Sequence, residues 1–516
     1  MHKEYVIGVD IGTNSARAII CDECGNIISE GRSAYELIRP KPGWVEQKAE
    51  WWYEALKISC KEAIDKSNID KRQIKACGIT HQRQSFVPVD KDLKPLRKSI
   101  LWNDMRCGDQ AEWANKKLGL KRIYKRTGFP PATMTIYKIM WLKDNEPDIY
   151  KRAYKFLLVT DYVIARLTGV IATVEGSATF SGVLDISKKN DWAYDILEEF
   201  NIDSEKLPEK IFAGGEIIGH VTNKSANDTG LPEGLPIVAA GGDQPVGVLG
   251  VGITMPGIAG INGGTSCTIQ MYSKKLPIDP EVNYFIEISP EGGYMPESAI
   301  YSGISALMIW YKDNFGSKEI TEARAKGKNV WEVIYNKAKK VPAGSMGMMM
   351  VPYLAGASGP FWDVRARGVI TGLLESHNRD HLIRCIIESQ AYESRRIIEA
   401  MEKVIGSKLR EVRAYGGSSL SNIYNQIFAD VLSTPVVTTN TPEATAMGAA
   451  ICATRGGGIY DSFEEAIKNM VKINKRYKPN LENSRLYDDL YNNIYYEIYN
   501  RLADLMHKTS VITNIP

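Results

Sequence analysis

Cysteine is scarce in this chain: eight residues among 516, scattered along its length. That points away from a disulfide framework and predicts free thiols in a reducing cytoplasm. The lone Cys21-x-x-Cys24 pair has no second pair near it. It reads as a strand end followed by the turn Asp22-Glu23-Cys24-Gly25-Asn26. Charge of one sign is also missing in excess. A net charge of +3 over this length gives no nucleic-acid footprint. No stretch reads as a membrane span. Residues 244–273 carry no charge, but their glycines, two prolines and hydroxyls predict strands and turns instead. The N-terminus runs from Met-His-Lys-Glu into an apolar strand, which predicts no signal peptide and a cytoplasmic location. His377 and His381 have helical i, i+4 spacing but no evident third metal ligand, so they read as a polar helix start.

What is present is ordinary globular composition, 44% hydrophobic and 24% charged, long enough for two large domains or more. Two short segments look like copies of each other. Ile7-Gly-Val-Asp-Ile-Gly-Thr-Asn-Ser15 lies near the start, and Ile258-Ala-Gly-Ile-Asn-Gly-Gly-Thr-Ser266 lies past the middle. Each is a small or apolar run, a Gly-Thr turn and then strand-forming residues. A hairpin tip of this kind offers backbone N–H groups and a hydroxyl to phosphate. Two of them facing each other would grip a polyphosphate from both sides.

Residues 5–11, 15–21 and 26–35 predict a three-stranded meander. Helical spacing predicts helices at 51–64, 136–144, 160–167, 381–404, 422–432 and 444–454, with a terminal helix at about 484–508. Strands are expected at 74–80, with 86–89 paired to it, and at 237–240, 258–272, 411–415 and 435–437. Alternation of strands and helices argues an α/β chain.

Four polar constellations carry chemistry. Asp10 ends an apolar strand two residues before Gly12, where a carboxylate can hold Mg²⁺ against phosphates, and Arg17 follows on the next strand. A plain hairpin with an Asp in its turn is the alternative. Asp243 follows a buried strand and two glycines, placed to accept a proton from an attacking hydroxyl. It also suits a helix N-cap, and the two roles are compatible. Gly416-Gly417-Ser418-Ser419 before a helix suits an anion or nucleotide, although many glycine turns precede helices. His81-Gln82-Arg83-Gln84 and Trp102-Asn103-Asp104 suit a hydroxyl-rich ligand, or else form a polar loop beside a core Trp.

Together these segments resemble the FGGY family of carbohydrate kinases over essentially the whole chain. Gly8–Arg17 is similar to the family's first phosphate motif and Asn262–Thr265 to its second. Gly416–Ser421, with Gln426, Ala429-Asp430 and Pro435-Val436, resembles the C-terminal signature. The signature around Lys138-Ile-Met-Trp141 departs from the family pattern at Thr133. The resemblance implies two actin-like, ribonuclease H-like α/β domains with a duplicated core and ATP in the interdomain cleft. Residues 1–246 would hold the sugar and the catalytic carboxylate, and residues 247–516 the nucleotide. Asp243 would be the base, and Asp10 and Asp243 would place Mg²⁺. Gly12, Thr13, Asn14, Arg17, Gly264 and Thr265 would contact phosphates, and Gly416, Gly417 and Ser418 would border the adenosine. Arg83, Gln84, Trp102, Asn103, Asp243 and Gln244 would face the acceptor.

The acceptor is expected to be a small linear sugar or polyol, phosphorylated on a terminal hydroxyl. Leu101–Cys107, Trp51-Trp52 and Gly241–Asp243 resemble xylulokinases, which favours a five-carbon ketose such as D-xylulose. Xylulokinases usually have Gln-Met-His where Gln82-Arg83-Gln84 stands. Glycerol kinases have Gln-Arg-Glu there and share a run like Pro42–Glu46. Autoinducer kinases, which act on a dihydroxy-pentanedione, resemble residues 279–316 and the tail. Other classes on the same scaffold are an actin-like ATPase without a sugar substrate and a sugar-sensing protein. Homodimers are common in the family, and no segment of this sequence decides for or against one.

Overall fold

A computed structural model describes residues 3–441 and 443–513. Apolar strands of seven or eight residues near the N-terminus form a meander because Gly12-Thr13 and Gly25-Asn26 turn the chain back between them. They belong to a six-stranded sheet of β1 (Tyr5–Ile11), β2 (Ser15–Asp22), β3 (Ile27–Ala34), β4 (Ile74–His81), β5 (Ile217–His220) and β6 (Pro236–Gly242), in the order β5-β6-β4-β1-β2-β3. A seven-stranded sheet holds β7 (Ile258–Gly263), β8 (Cys267–Met271), β9 (Phe285–Ile288), β10 (Tyr294–Ile300), β11 (Glu411–Tyr415), β12 (Val436–Thr439) and β13 (Ile473–Tyr477), in the order β9-β10-β8-β7-β11-β12-β13.

The two sheets repeat one plan strand for strand. β3-β2-β1 are antiparallel, β1-β4-β6 parallel, and β5 closes antiparallel to β6. β10-β8-β7 are likewise antiparallel, β7-β11-β12 parallel, and β13 antiparallel to β12. The expected duplication of the core is therefore present in topology as well as in the two Gly-Thr segments. The second copy adds one strand, β9, beyond β10.

Four helices position the site: α1 (Glu50–Ser67), α2 (Asp243–Gly250), α3 (Arg379–Ile405) and α4 (Ala444–Gly456). α2 follows β6, and α4 follows β12, the corresponding strand of the second copy. α4 packs on the first sheet: a Cβ on Gly8 would lie 2.0 Å from the Ala446 carbonyl oxygen. α2 and α4 interlock through glycines, since a Cβ on Gly250 or Gly448 would lie 1.8 Å from the carbonyl oxygen of Ala444 or Val246. Val6, Ala76, Val246, Leu249, Ala446 and Ala450 thus share one buried core drawn from both halves of the chain.

One expectation needs correction. Phe86–Val89 does not pair with β4. It joins Glu46–Gln47, Ser99–Ile100 and Lys155–Leu158 in a separate four-stranded sheet. Gln84, in the left-handed region with φ 61°, turns the chain out of the first sheet just after β4. The expected terminal helix is present and carries a π turn within it. Leu481–Leu490 and Tyr496–Thr513 are joined by a π turn over Tyr491–Tyr495. Tyr487, Tyr491 and Tyr495 donate hydroxyl hydrogen bonds to Glu388, Glu399 and Glu393 of α3, at 2.6, 2.9 and 2.9 Å. Residues four apart drift around an α-helix of about 3.6 residues per turn. The wider π turn reverses that drift and holds the tyrosines on one face.

Candidate active site

The first Gly-Thr tip is built as a braced hairpin. The Gly12 N–H donates to the Ser15 carbonyl at 3.0 Å, closing the turn. The Tyr35 hydroxyl donates to the Gly12 carbonyl, and Gln47 Nε2 to the Thr13 carbonyl at 2.8 Å. The second tip closes the same way, Gly264 N–H to Ser266 carbonyl at 3.1 Å, and Ser305 N–H donates to the Gly264 carbonyl at 3.0 Å.

Asp10 stands near the end of β1, opposite Arg17 on β2 and Thr80 on β4. Its Oδ1 is buried and has no hydrogen-bond partner among the described residues. Burial, and then the nearby Asp243 charge, push the Asp10 carboxyl up to about 7, with Arg17 pulling the other way. Arg17 itself forms an ion pair with Glu443 from the loop before α4.

Asp243 opens α2 directly after β6, where Gly241 at φ 119° lets the strand pass into the helix. Asp243 Oδ1 accepts from its neighbour's backbone, Gln244 N–H, at 2.9 Å, and pairs with Arg83 Nε at 2.9 Å. The side chain keeps 28% of its surface open. Desolvation raises the carboxyl above its usual range, and the Arg83 charge opposes the rise. Gln244 turns to the second hairpin, where its Oε1 accepts from Thr268 Oγ1 at 2.8 Å and Asn262 Nδ2 at 3.2 Å. Consecutive residues therefore reach both copies: Asp243 feels Asp10 beside the first tip, and Gln244 holds the strands of the second.

Trp102 is 42% exposed and donates its indole N–H to Thr13 Oγ1 at 3.0 Å, joining the polar wall to the phosphate tip. Lys138 explains that placement. Its buried ammonium donates to the Leu101 and Trp102 carbonyls at 2.7 and 3.1 Å. Burial lowers this amine to about 8. Among the described residues, Asn103 Oδ1 is buried without a partner. Asp104 faces inward, accepting from Arg106 at 2.8 Å and from the Val45 N–H at 2.5 Å. His81 is likewise interior, hydrogen-bonded to Ser177 Oγ at 2.9 Å. Neither points at a ligand.

On the second half, a cavity of about 560 Å³ is lined by Gly417, Ser418, Leu420, Met308, Trp331 and Tyr335, among others. Gly417 and Ser418 of the glycine turn lie in its wall. The Ser418 hydroxyl donates to the Gly263 carbonyl at 2.9 Å, tying the wall to the second tip. Gly416, at φ 77°, packs against Asn262, which leaves no room for a Cβ. Trp331 and Tyr335, on the helix Val330–Ala338, carried no motif in sequence. Only their place in the fold shows them. The same holds for Glu287 on β9 and Glu297 on β10, both fully buried against Arg83.

Models of the N-terminal and C-terminal domains of the FGGY family of carbohydrate kinases match residues 5–250 and 259–456. The chain belongs to the FGGY family of carbohydrate kinases. It is 29% identical to a xylulose kinase of Lactococcus lactis over 507 residues, covering 98% of each chain. It is 32% identical to glycerol kinase 2 of Thermotoga maritima over 500 residues, covering 94% of this chain and 97% of that one. A solved gluconate kinase from Lactobacillus acidophilus superimposes with a TM-score of 0.90 at 25% identity, covering 98% of this chain and all of that one. As an FGGY carbohydrate kinase it is an ATP-dependent phosphotransferase. Among the described residues, no helix is long and apolar enough to cross a membrane.

Proposed function

We propose that the chain transfers the γ-phosphoryl group of ATP to a terminal hydroxyl of a five-carbon ketose such as D-xylulose. The observation that carries this reading is the Asp243-Gln244 pair, whose carboxylate acts through its charge on Asp10 beside the first tip and whose amide accepts from Asn262 and Thr268 of the second hairpin. Residues 1–246 would form the acceptor domain and residues 247–516 the nucleotide domain. Gly12, Thr13, Asn14, Arg17, Gly264 and Thr265 would surround the phosphates, and Gly416, Gly417 and Ser418 would border the adenosine. Gln84, Trp102, Asn103 and Gln244 line the acceptor side in this reading.

Asp243 accepts the proton of the attacking hydroxyl while that oxygen bonds to the γ-phosphorus and the bond to the ADP oxygen breaks. A carboxylate raised by desolvation takes the hydroxyl proton more readily than an ordinary one. Backbone N–H groups at the two tips stabilise charge on the transferring oxygens. Asp10 Oδ1, buried and unpartnered, and Asp243 fit a Mg²⁺ ion, which usually takes one or two carboxylates plus phosphates and water. Bound there, the ion would neutralise charge on the phosphate oxygens.

The ketose rests on the Lactococcus xylulose kinase and on the Leu101–Cys107 segment. Glycerol is the second reading, favoured by the Thermotoga relative and by Arg83 and the Pro42–Glu46 run. Asp243→Asn keeps the shape and removes the base. Phosphorylation should fall by roughly a hundredfold or more while ATP binding by calorimetry is retained, since base catalysis is worth about 10²–10⁴. Near-normal turnover in that variant removes Asp243 from the role.

A further inference from the structure

Arg83 stands where the sequence predicts an acceptor-binding residue, yet its guanidinium is almost wholly consumed by carboxylates. Its Nε pairs with Asp243 Oδ1 at 2.9 Å. Nη1 pairs with Glu287 and, at 3.1 Å, with Glu297 Oε2, and Nη2 meets Glu297 Oε1 at 3.0 Å. Three guanidinium hydrogen bonds therefore go to Glu287 and Glu297, and Nε adds the ion pair with Asp243. Its Cζ lies 4.2 Å from the Phe180 ring centroid, within cation–π range.

The carboxylates are themselves anchored. Glu297 Oε2 accepts from Gln270 Nε2 at 2.6 Å, and Gln270 Oε1 accepts from the Tyr415 hydroxyl at 2.9 Å. Glu287 and Glu297 come from β9 and β10, the edge of the second sheet, whereas Arg83 and Asp243 belong to the first. This edge reaches across to the first half: Ile286 N–H donates to the Gly128 carbonyl at 2.8 Å, and Phe285 stacks on Phe129 with centroids 5.0 Å apart. The result at Asp243 is asymmetric. Oδ1 is held twice, by Arg83 Nε and by Gln244 N–H, while Oδ2 has no partner among the described residues.

The geometry points to Arg83 as a positioning residue that, clamped by Glu287 and Glu297, pins Asp243 Oδ1 and turns Oδ2 to the acceptor hydroxyl. Its contacts go to Glu287, Glu297 and Asp243 and not to the sugar. The base is aimed only while the edge of the second sheet is seated on the first half, so orientation of the base is coupled to the arrangement of the two halves. This inference rests on the proposed role of Asp243. It leaves the acceptor to neutral groups such as Gln84 and Asn103.

The test is steady-state kinetics on the full-length protein, with ATP and whichever of D-xylulose or glycerol the wild type prefers. The variants are Arg83→Lys, Arg83→Gln, Glu297→Gln and Asp243→Asn. A misaimed base costs kcat: Glu297→Gln and Arg83→Lys should lower kcat by about 10- to 100-fold. Acceptor KM should stay within about threefold, and Arg83→Lys should retain more activity than Arg83→Gln. A KM rise of more than about tenfold with kcat preserved would show that Arg83 holds the acceptor, and overturns the inference. So do unchanged constants in both Arg83→Lys and Glu297→Gln. Thermal midpoints and ATP affinity identify a variant that fails to fold. In that case Glu287→Gln, which spares the bidentate pair, carries the same expectation of lowered kcat and unaltered KM. Loss of activity in Asp243→Asn alone leaves the base assignment standing and removes the Arg83 role. An active Asp243→Asn removes the base assignment itself.

Discussion

Single residues in this protein are governed by what their backbone position leaves unsatisfied. Asp10 and Asp243 were legible in sequence because each ends a buried strand at a glycine turn, a place where a carboxylate serves a ligand better than a core. Asp161 shows the contrasting case, a buried carboxyl spent on the fold. It lies in the first turn of the helix Val159–Thr168, and its Oδ2 accepts the Leu158 N–H at 3.0 Å. Burial pushes this carboxyl up to about 7 from an ordinary 3.8. The folded state then holds a proton that the unfolded chain releases. Stability from this group is complete below about pH 4 and is lost as pH rises through about 7, at roughly 1.4 kcal/mol for each pH unit in between. Asp161→Asn, which cannot ionise, should lack this loss. Urea unfolding at pH 5 and pH 8 should show wild type falling relative to the variant on going to the higher pH. Parallel behaviour of the two proteins would rule the assignment out. Asp104 and His81 were less legible. Their polar neighbours suggested a ligand, but Arg106 and the Val45 N–H claim Asp104 and Ser177 claims His81, and no local pattern names Val45 or Ser177, both far away in sequence.

Elements are set by periodicity and by how closely backbones can approach. The long helix α3 and the meander were readable because their patterns are strong and local. The destination of α4 was not. Its small residues predicted close packing, but the sequence does not say against which sheet, and the answer is the one built by the other half of the chain. Gly448 gives this contact a test. Alanine in a helix interior ordinarily stabilises by about 1 kcal/mol over glycine. Here its Cβ would lie 1.8 Å from the Val246 carbonyl oxygen, a backbone atom held by α2. Gly448→Ala should therefore destabilise by about 3 kcal/mol or more, at the upper end of overpacking costs. Thermal and urea unfolding give the sign directly, and a stabilised variant would contradict the packing. The π turn at Tyr491–Tyr495 was invisible for a related reason: it exists to keep tyrosines on the α3 carboxylates, a tertiary demand.

At the scale of the whole molecule, the duplication visible in two nine-residue segments extends to two sheets of the same strand order and sense. Helices α2 and α4 interlock between them, and the β9–β10 edge of the second sheet reaches across to the first half of the chain at Gly128 and Phe129. That edge carries Glu287 and Glu297, isolated carboxylates with no motif around them, so the ion cluster at Arg83 appears only once both halves are folded. The acceptor identity lies at the same scale. It depends on residues from several elements around Asp243, and the related kinases differ in the acceptors they are named for. The most direct test is ADP release with ATP and, in turn, xylulose, ribulose, glycerol, erythritol, gluconate and the dihydroxy-pentanedione. Phosphorus NMR of the product completes it. The account predicts acceptor-dependent release, greatest with D-xylulose, yielding a phosphomonoester at a terminal hydroxyl. ADP release at the same rate with no acceptor present would contradict it, and would make this chain an ATPase on a kinase scaffold.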